Sequence, residues 1–329
     1  MTKKQIILEV RKEFPDVAIR QLSRIVYRRY RENFLSLSSC YAQCNKALGK
    51  NGEVSRKNNK YAEPLITKSF NPYKLPKSEA VENEPYKLPI ANNKILVLSD
   101  LHIPYHDIQA LTCAFKFGEE KNINTIVING DLIDFYQISR FLKDPRKKSL
   151  AYEVDVTKNF LQTLRTVFPT QDIYWLLGNH DVRFNHWMMQ KAPELLDIAN
   201  ASLESILGLN DLRIKVIEDN KLVKAGKLYI NHGHLLMRGA FSPVSPARGV
   251  YVKAKQSIII GHTHKISEHT ETNLGGEITT TWSTGCLCEL NPDYVPFANN
   301  YAHGFAYVEV EKNGNFRVEN KRIYNGQIL

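Results

Sequence analysis

Five apolar runs, each followed directly by a short polar cluster, constrain the fold of this 329-residue chain more than any other feature. The runs span residues 94–99, 125–129, 173–177, 228–231 and 257–260. Each has the length and composition of a buried β-strand. In α/β folds, functional side chains project beyond the carboxyl ends of such strands. The pattern therefore predicts an α/β chain in which five strand ends converge on one site.

The polar clusters combine carboxylates, imidazoles and one asparagine amide. In chain order they are Asp100-Leu-His102, Gly130-Asp131, Gly178-Asn179-His180-Asp181, His232-Gly-His234 and Gly261-His262-Thr-His264. A single aspartate after a strand is usually a helix cap, and a single histidine is usually a hydrogen-bonding residue. The ordered set instead predicts the ligands of two adjacent metal ions. The glycines in four of the clusters would let the backbone approach the ions without a Cβ atom in between.

These motifs resemble the calcineurin-like metallophosphoesterase superfamily. The superfamily pattern D-x-H, G-D-x-x-D, G-N-H-D/E, H and G-H-x-H is complete between about residues 94 and 310. The resemblance implies two ligand groups that share one carboxylate: for the first ion Asp100, His102 and His264, for the second Asn179, His232 and His262, and for both Asp131. Oxygen and imidazole ligands without thiolates suit Mn²⁺, Fe or Zn²⁺, and Mn²⁺ is the expected ion.

The resemblance also implies a mechanism. Two such ions would share a hydroxide of strongly lowered pKa as the nucleophile, and they would stabilise the charge that develops on the phosphate. No covalent phospho-enzyme is then expected. His180 would protonate the leaving oxygen, and Asp181 would fix the tautomer of its ring. A purely structural hydrogen bond from His180 to Asp131 or Asp134 is the alternative. Asp134, the last residue of G-D-x-x-D, is expected to orient His180 or a metal ligand.

Three further residues are candidates for contacts with the substrate. Arg183 follows the asparagine-histidine turn and is expected to bind a substrate phosphate bidentately, with a surface cap as an equal alternative. Tyr136 and Arg140, at the expected start of a helix, would line the mouth of the site. Serine/threonine protein phosphatases of the superfamily continue G-D-x-x-D into Arg-Gly, whereas Asp134 is followed here by Phe135 and Tyr136. This departure argues against a protein substrate.

The remaining histidines and the cysteines do not complete another metal site. His106 and His234 match no ligand position of the superfamily, and we expect them to be bystanders or hydrogen-bond donors to the ligands. The five cysteines, an odd number without a disulfide-like framework, predict a reducing compartment. Four of them lack partners for a zinc site and are expected to pack as ordinary core residues: Cys40, Cys44, Cys286 and Cys288.

Membrane and secretion signals are not evident in the sequence. No apolar stretch approaches the roughly 18 residues of a membrane span, and the N-terminus lacks the apolar region of a signal peptide. A cytoplasmic protein without a membrane partner is therefore expected.

The net charge of +10 is concentrated at the N-terminal end, because residues 1–90 contain 18 Lys and Arg against 9 Asp and Glu. Residues 1–50 predict three short helices. A capping box at Thr2 and Gln5 opens the first, Pro15 precedes the second, and Gly49 ends the third. On the second helix, one face would be buried and the other basic. The expected buried residues are Ala18, Leu22, Ile25, Val26 and Tyr30, and the expected exposed ones are Arg20, Arg24, Arg28, Arg29 and Arg31.

These helices resemble a helix-turn-helix module whose basic face suits phosphate contacts with nucleic acid. Docking on the enzyme or oligomerisation is the alternative role. Residues 51–92, rich in Asn, Lys, Pro and Glu, predict an extended linker. The sequence Pro-Tyr-Lys-Leu-Pro occurs there at residues 72–76 and 85–89 and is expected to lie along a domain surface. Residues 93–329 predict a two-sheet β-sandwich flanked by helices, the metallophosphoesterase fold.

The sequence thus predicts a metal-dependent phosphoesterase that acts on nucleic acid or nucleotides, as a nuclease or a polynucleotide phosphatase. One alternative is a phosphatase or phosphodiesterase of small nucleotides or signalling molecules, with an N-terminus used for assembly. Another is a DNA-binding regulatory protein whose metal domain is not catalytic. The complete ligand set argues against this last alternative.

Overall fold

The computed structural model of the protein describes residues 1–49, 75–80, 82–142, 144, 146, 149–196, 198, 201–239, 244–292 and 299–329. The chain divides into two compact units, Met1–Ala80 and Val81–Leu329. Much of the expected linker, including most of the first Pro-Tyr-Lys-Leu-Pro copy, lies outside the described residues.

The N-terminal unit contains three helices, α1 (Lys3–Glu13), α2 (Ile19–Arg29) and α3 (Leu37–Leu48). The expected capping box is formed, because the Gln5 amide donates to Thr2 Oγ1 at 3.3 Å and the Thr2 amide donates to Gln5 Oε1 at 2.8 Å. The third helix ends at Gly49, as expected. The apolar faces of the helices share one core: Ile6, Ile7, Val10, Leu22, Val26, Phe34, Cys40, Cys44 and Ala47.

Helix α2 is amphipathic but departs from the expected pattern. Arg31 lies beyond its last residue, Arg29, in a short 3-10 helix, and Ile25 and Tyr30 are only half-buried. Ala18 is exposed rather than buried, because it is the N-cap residue and the helix begins at Ile19. The five arginines are exposed as expected: Arg20, Arg24, Arg28, Arg29 and Arg31. Arg29 also pairs with Glu13 and lies over the ring of Phe14, 5.2 Å from its centroid. Part of the positive charge of Arg29 is therefore offset within the unit.

The larger unit contains a seven-stranded sheet that carries three of the polar clusters. Its strands are β2 (Lys94–Leu98), β3 (Thr125–Asn129), β4 (Asp172–Leu176), β5 (Ile214–Ile217), β11 (His303–Val310), β12 (Phe316–Tyr324) and β13 (Gln327–Ile328). The order is β13-β12-β11-β2-β3-β4-β5. Strands β2 to β5 are parallel, and β11 pairs antiparallel with β2 and with β12. The carboxyl ends of β2, β3 and β4 therefore lie at one edge.

A six-stranded sheet carries the other two clusters. Its strands are β1 (Tyr86–Lys87), β6 (Val223–Ala225), β7 (Leu228–Asn231), β8 (Ile258–Ile260), β9 (Ile266–Thr272) and β10 (Ile278–Thr284). The order is β1-β6-β7-β8-β10-β9, with β7 and β8 parallel. Strand β1 lies within the expected linker, in the second Pro-Tyr-Lys-Leu-Pro copy. It pairs parallel with β6 at the edge of the sheet, and Lys87 and Pro89 of this copy are exposed.

Helices cover the outer faces of both sheets: α4 (Ile108–Glu120), α5 (Leu150–Val167), α6 (Arg183–Lys191), α7 (Leu203–Leu207) and α8 (Pro246–Ala254). In β2, Ile95 and Val97 face the other sheet, whereas Leu96 and Leu98 belong to the core under the helices. Helix α8 packs through Val250 on the far side of the six-stranded sheet. The predicted two-sheet sandwich flanked by helices is confirmed. Because both faces of β2 and β3 are covered, their inner residues, 95–98 and 126–128, are all apolar.

Among the helices that the structure describes, none is long and apolar enough to cross a lipid bilayer.

Candidate active site

The polar clusters follow β2, β3 and β4 in one sheet and β7 and β8 in the other, so the site lies where the edges of the two sheets meet. Its backbone has left-handed φ angles at five predicted ligands: Asp100 (57°), His102 (48°), Asp131 (51°), His262 (64°) and His264 (55°). Such angles cost non-glycine residues about 1–3 kcal/mol each, and they persist only where the surrounding structure enforces them. The scaffold therefore positions these side chains at a cost in stability.

The first predicted ligand group lies together in the structure. His264 Nε2 lies 3.2 Å from Asp100 Oδ1 and 3.1 Å from His102 Nε2. The ligand atoms of the three residues all lie within 4.8 Å of one another, and Asp100 is fully buried. Two imidazole nitrogens and one carboxylate oxygen that face one another in a buried space fit a divalent cation.

The second predicted group meets the first at Asp131. His232 Nε2 lies 3.1 Å from Asp131 Oδ2 and 3.2 Å from Asn179 Oδ1. The ligand atoms of Asp131, His232 and His262 also lie within 4.8 Å of one another. Asp131 Oδ2 is in addition 3.7 Å from His102 Nε2 of the first group. The carboxylate of Asp131 is thus placed between the two groups, as a bridging ligand requires.

Two glycines allow close backbone approach at this centre. A Cβ atom on Gly178 would lie 2.3 Å from Asp131 Oδ1, and one on Gly261 would lie 2.5 Å from Asp100 Oδ2. The backbone amides beside them hold the same carboxylates, since the His180 amide donates to Asp131 Oδ1 and the His262 amide to Asp100 Oδ2, both at 2.8 Å. The two glycines thus leave space for the carboxylates of the predicted ligands. The sequence had instead suggested that glycines let the backbone approach the ions.

Hydrogen bonds outside the centre fix two ligand rings. His232 Nδ1 donates to the Asn129 carbonyl at 2.9 Å, and His102 Nδ1 donates to Asp134 Oδ1 at 2.9 Å. A carbonyl oxygen only accepts, so Nδ1 of His232 carries the proton and Nε2 is left to ligate. Partners of this kind set both the tautomer and the orientation of metal-binding histidines.

Asp134 connects the centre to His180. Its Oδ1 accepts from Nδ1 of His102. Nδ1 of His180 donates to the Asp134 carbonyl at 3.0 Å and lies 3.0 Å from Oδ1 as well. Burial raises the pKa of Asp134, but the contacts of its carboxylate with His102 and His180 lower it below its ordinary value. On the other side of the ring, the Arg183 guanidinium lies 3.0 Å from His180 Nε2 and donates to the Asp134 carbonyl at 2.8 Å. Asp134 thus contacts both a predicted ligand, His102, and His180. A hydrogen bond from His180 to Asp134 was the structural role given above as the alternative to proton donation.

Asp181 does not make the expected contact with the His180 ring; Asp134 makes it instead. The carboxylate of Asp181 accepts five hydrogen bonds of 2.7–3.2 Å: from the amides of Asp131, Leu132, Ile133 and Gly178 and from Trp175 Nε1. Burial, followed by the charge of Asp131, raises the pKa of Asp181 to about 6. Asp181 therefore ties the loop after β3 to the loop after β4.

A cavity of about 360 Å³ opens beside Asn179, between residues 138–141 and helix α6. Arg140 and Arg183, which the sequence suggested as substrate contacts, line it. Tyr136 is not among the described lining residues, and its hydroxyl accepts from the amide of Asp144 at 3.0 Å. The expected helix start is a single 3-10 turn, Tyr136–Ile138, because the chain turns away after Ser139.

Glu153 of α5 belongs to the surroundings of the site and was not identified from the sequence. It is fully buried, and both its oxygens accept from the Tyr136 amide at 3.1 Å. Burial, and after it the charge of Asp134, raises the pKa of Glu153 to about 7. A signal existed, because Glu153 shares the buried face of α5 with Leu161 and Leu164, where an acid is out of place.

Cys288 and Tyr301 were also missed. Cys288 Sγ lies 3.8 Å from His264 Nδ1, and the Tyr301 ring lies 4.4 Å from the His264 ring between centroids. The ligand atoms of Cys286, Cys288 and His264 all lie within 4.8 Å of one another, so the two cysteines have a metal-binding partner that the sequence did not reveal and are more than packing residues. All five cysteines are free, as expected. His234 pairs with Asp219 at 3.4 Å, and His106 lines a separate groove along α4 and α5.

Two relatives each match about two thirds of the chain. The Gene 54 protein of Mycobacterium phage L5 is 27% identical over 233 residues, which cover 67% of this chain and 90% of the relative. The Gene 54 protein of Mycobacterium phage D29 is 28% identical over 237 residues, which cover 68% and 91%. Neither name states an activity.

Solved structures show weaker likeness. Vacuolar Protein Sorting 29 from Cryptosporidium parvum gives a TM-score of 0.41 at 16% identity, covering 72% of this chain and 94% of that one. The phosphoesterase Yfce from E. coli gives 0.34 at 14% identity, covering 69% and 98%. These scores add nothing to an assignment of function.

The match to a family model is more informative. The model of the calcineurin-like phosphoesterases matches residues 93–266, more than half of the chain. The matched segment runs from β2 to the last of the polar clusters and includes both candidate ligand groups. The chain therefore belongs to the calcineurin-like phosphoesterases and is a metal-dependent hydrolase acting on phosphate esters.

Proposed function

We propose that this enzyme hydrolyses phosphate esters of nucleic acid or nucleotides, with two divalent ions, Mn²⁺ first among them, at the centre around Asp131. The observation that carries the proposal is the meeting of the two ligand groups at this one buried carboxylate. When bound, the ions lower the pKa of water at the site and offset the charge of the phosphate oxygens.

The residues around the ions would prepare the reaction. Asp100, His102 and His264 would hold one ion, and Asn179, His232 and His262 the other. Asp134 holds His180 through Nδ1, so a doubly protonated His180 would give its Nε2 proton to the leaving oxygen and return to the neutral ring. Arg183, beside that nitrogen, is placed to pair with a phosphate oxygen of the substrate.

The proposal of a nucleic acid substrate draws on the N-terminal unit. Its exposed arginines on α2 would hold phosphates of a polyanion and concentrate it near the enzyme. The cavity beside Asn179 favours a second candidate, a small nucleotide or signalling molecule, because its volume of about 360 Å³ falls in the range of small-molecule sites. The N-terminal unit would then serve assembly. The five free cysteines support a reducing compartment, and we place the protein in the cytoplasm.

The decisive experiment follows end-labelled oligonucleotides, single- and double-stranded, with and without terminal phosphates, on a gel in the presence of Mn²⁺. Wild type is compared with Asp131→Asn, which removes one charge from the bridging carboxylate, and with Asp155→Asn at an exposed position of α5. We expect strand cleavage or loss of the terminal phosphate with wild type and Asp155→Asn only. If wild type leaves every oligonucleotide intact, the substrate is not a nucleic acid.

A further inference from the structure

The cavity beside Asn179 adjoins the predicted metal centre, because Asn179 lines the cavity and its Oδ1 lies 3.2 Å from His232 Nε2. Residues 138–141 form one wall, and α6 forms the other with Arg183, Trp187 and Lys191. A substrate whose phosphate lay at the centre would extend into this space.

The walls of the cavity carry positive charge. Arg140, Arg183 and Lys191 contribute cationic side chains, and none of the described lining residues is acidic. Arg183 lies at the inner end, next to His180, while Arg140 and Lys191 are exposed. The cavity thus has one cationic side chain at its inner end and two at exposed positions. This arrangement suits a substrate with a second phosphate beyond the one that reacts.

An aromatic ring lies among these cations. Trp187 is partly buried, and it packs against the core of the unit on one side and lines the cavity on the other. The other two tryptophans, Trp175 and Trp282, are buried in the cores. Phe141, across from α6, is 77% exposed. Aromatic rings beside arginine and lysine are what proteins use to stack an unpaired base next to its phosphate.

We infer that this cavity is a subsite for a nucleotide unit with an unpaired base, which stacks on Trp187 while its phosphate pairs with Arg140 and Lys191. The inference rests on the proposed function and narrows it to single-stranded or unpaired nucleotides. A base within a duplex is already stacked and paired, so it cannot enter without the cost of leaving the helix.

The test compares two single strands of equal length with Mn²⁺-loaded enzyme: oligothymidylate, and a strand of abasic sites that keeps the phosphates and lacks the bases. Trp187→Leu keeps an apolar contact with the core and removes the aromatic face. We expect it to raise KM for oligothymidylate about tenfold, the effect of one lost stacking contact, and to change KM for the abasic strand much less. Equal effects on both strands, or none on either, would overturn the inference.

Lys191→Gln tests the phosphate contact without touching the core. It should raise KM for both strands, whereas Lys116→Gln, at an exposed position on α4 outside the cavity, should raise neither. If Lys191→Gln behaves as Lys116→Gln, the phosphate contact is wrong.

A binding readout covers the case in which the Trp187 variant does not fold. Stacking on wild-type Trp187 should quench tryptophan fluorescence when phosphorothioate oligothymidylate is added, and the same sequence in a duplex should not. Thymidine monophosphate as competitor distinguishes a mononucleotide site from a strand site.

Hydrolysis of p-nitrophenyl phosphate by wild type, without quenching by either ligand, would overturn the subsite and leave the phosphoesterase proposal intact. Failure to hydrolyse any ester would instead refute the proposed function.

Discussion

Asp134, Asp181 and Glu153 are buried acids around one site, and each has a different partner. Asp134 binds imidazole rings, Asp181 binds backbone amides and one indole, and Glu153 binds the amide of Tyr136. Carboxylates that accept from cationic or amide donors have lower pKa values, whereas burial beside another acid raises them. The three residues therefore respond differently to pH, although their side chains are chemically alike.

Glu153 should make stability fall as pH rises. Its pKa is about 7 in the folded protein against an ordinary value of 4.5, so the folded form keeps a proton that the unfolded chain has lost. The stabilisation is complete below pH 4.5 and is lost as the pH rises through 7. Relative to Glu153→Gln, we expect the free energy of unfolding of wild type to fall by about 2–3 kcal/mol between about pH 5 and 8. Urea denaturation at both pH values measures this difference.

Glu120→Gln, at an exposed position of α4, serves as the control and should follow wild type at both pH values. Parallel pH dependence of wild type and Glu153→Gln would show that the carboxyl of Glu153 does not titrate in this range.

The sequence did not predict that Asp134, rather than Asp181, contacts His180. It also did not predict the hydrogen bonds by which Asp181 holds the backbone. The sequence placed Asp181 next to His180 and so suggested contact, but neighbouring residues at a turn point in different directions. The Asp181 side chain turns to the loop after β3, where three consecutive amides converge on it. Such convergence depends on the tertiary fold, not on local spacing.

At the scale of the strands, glycines in the loops after them leave the space that the predicted ligand carboxylates occupy. A methyl group on Gly178 would meet Asp131 Oδ1 at 2.3 Å and the Asp131 amide at 2.5 Å, so Gly178→Ala must displace the Asp131 carboxylate. We expect the variant to retain its secondary structure and to lose at least tenfold in metal affinity or activity, as for other changes that disturb metal ligands. Metal content after dialysis, together with circular dichroism, measures both effects.

Gly275→Ala is the matched control, because the only atom near its added methyl group would be Asn273 Oδ1 at 3.2 Å. It should bind metal as wild type does. If Gly178→Ala also retained full metal content, the close packing of the loop on Asp131 would have no part in metal binding.

The strands that bear the clusters were predictable to within a residue. Residues 125–129 form β3 as expected, and β2 ends one residue earlier than expected, at Leu98. Strands covered on both faces give continuous apolar runs, which are visible without knowledge of their partners. Strand β1 was missed because it has only two residues, Tyr86 and Lys87, and is defined by pairing with β6, far along the chain.

The left-handed backbone conformation at the predicted ligands could not be predicted from the sequence either. Asp100 and His102 adopt it while their amides donate to the carbonyls of Gly130 and Asp131, at 3.1 and 2.9 Å. The conformation is thus enforced by the neighbouring loop, since aspartate and histidine have no strong preference for it on their own.

On the scale of the whole molecule, the excess of positive charge and the predicted metal centre belong to different units. The basic excess lies at the N-terminal end, and the exposed arginines of α2 lie in the smaller unit. We expect Arg20→Gln, Arg24→Gln and Arg28→Gln together to weaken binding of an oligonucleotide and to lower its salt dependence by up to about three released counterions. Fluorescence anisotropy at about 50 and 200 mM salt measures both, and turnover of p-nitrophenyl phosphate should stay unchanged.

Lys116, Lys312 and Arg322, exposed on the larger unit, provide a control triple of glutamine substitutions with the same loss of charge. If the two triples weaken binding equally, the N-terminal unit has no special role in binding, and assembly becomes its better explanation.

The fold class followed from the sequence, and so did the residues that gather at Asp131, but the substrate did not. Motif spacing indicates which residues share a metal centre. Substrate choice depends on the residues that line the cavity, such as Trp187, and these belong to no motif.

The order of strands in the seven-stranded sheet also bears on how the protein is made. Strand β2, which delivers Asp100, lies between β3 and β11, and β11 begins only at His303. During translation, β2 leaves the ribosome long before its second neighbour, and the last ligand, His264, emerges well after the first. A nascent or truncated chain that ends before His264 therefore lacks one predicted ligand, and we expect hydrolysis to begin only when synthesis is nearly complete.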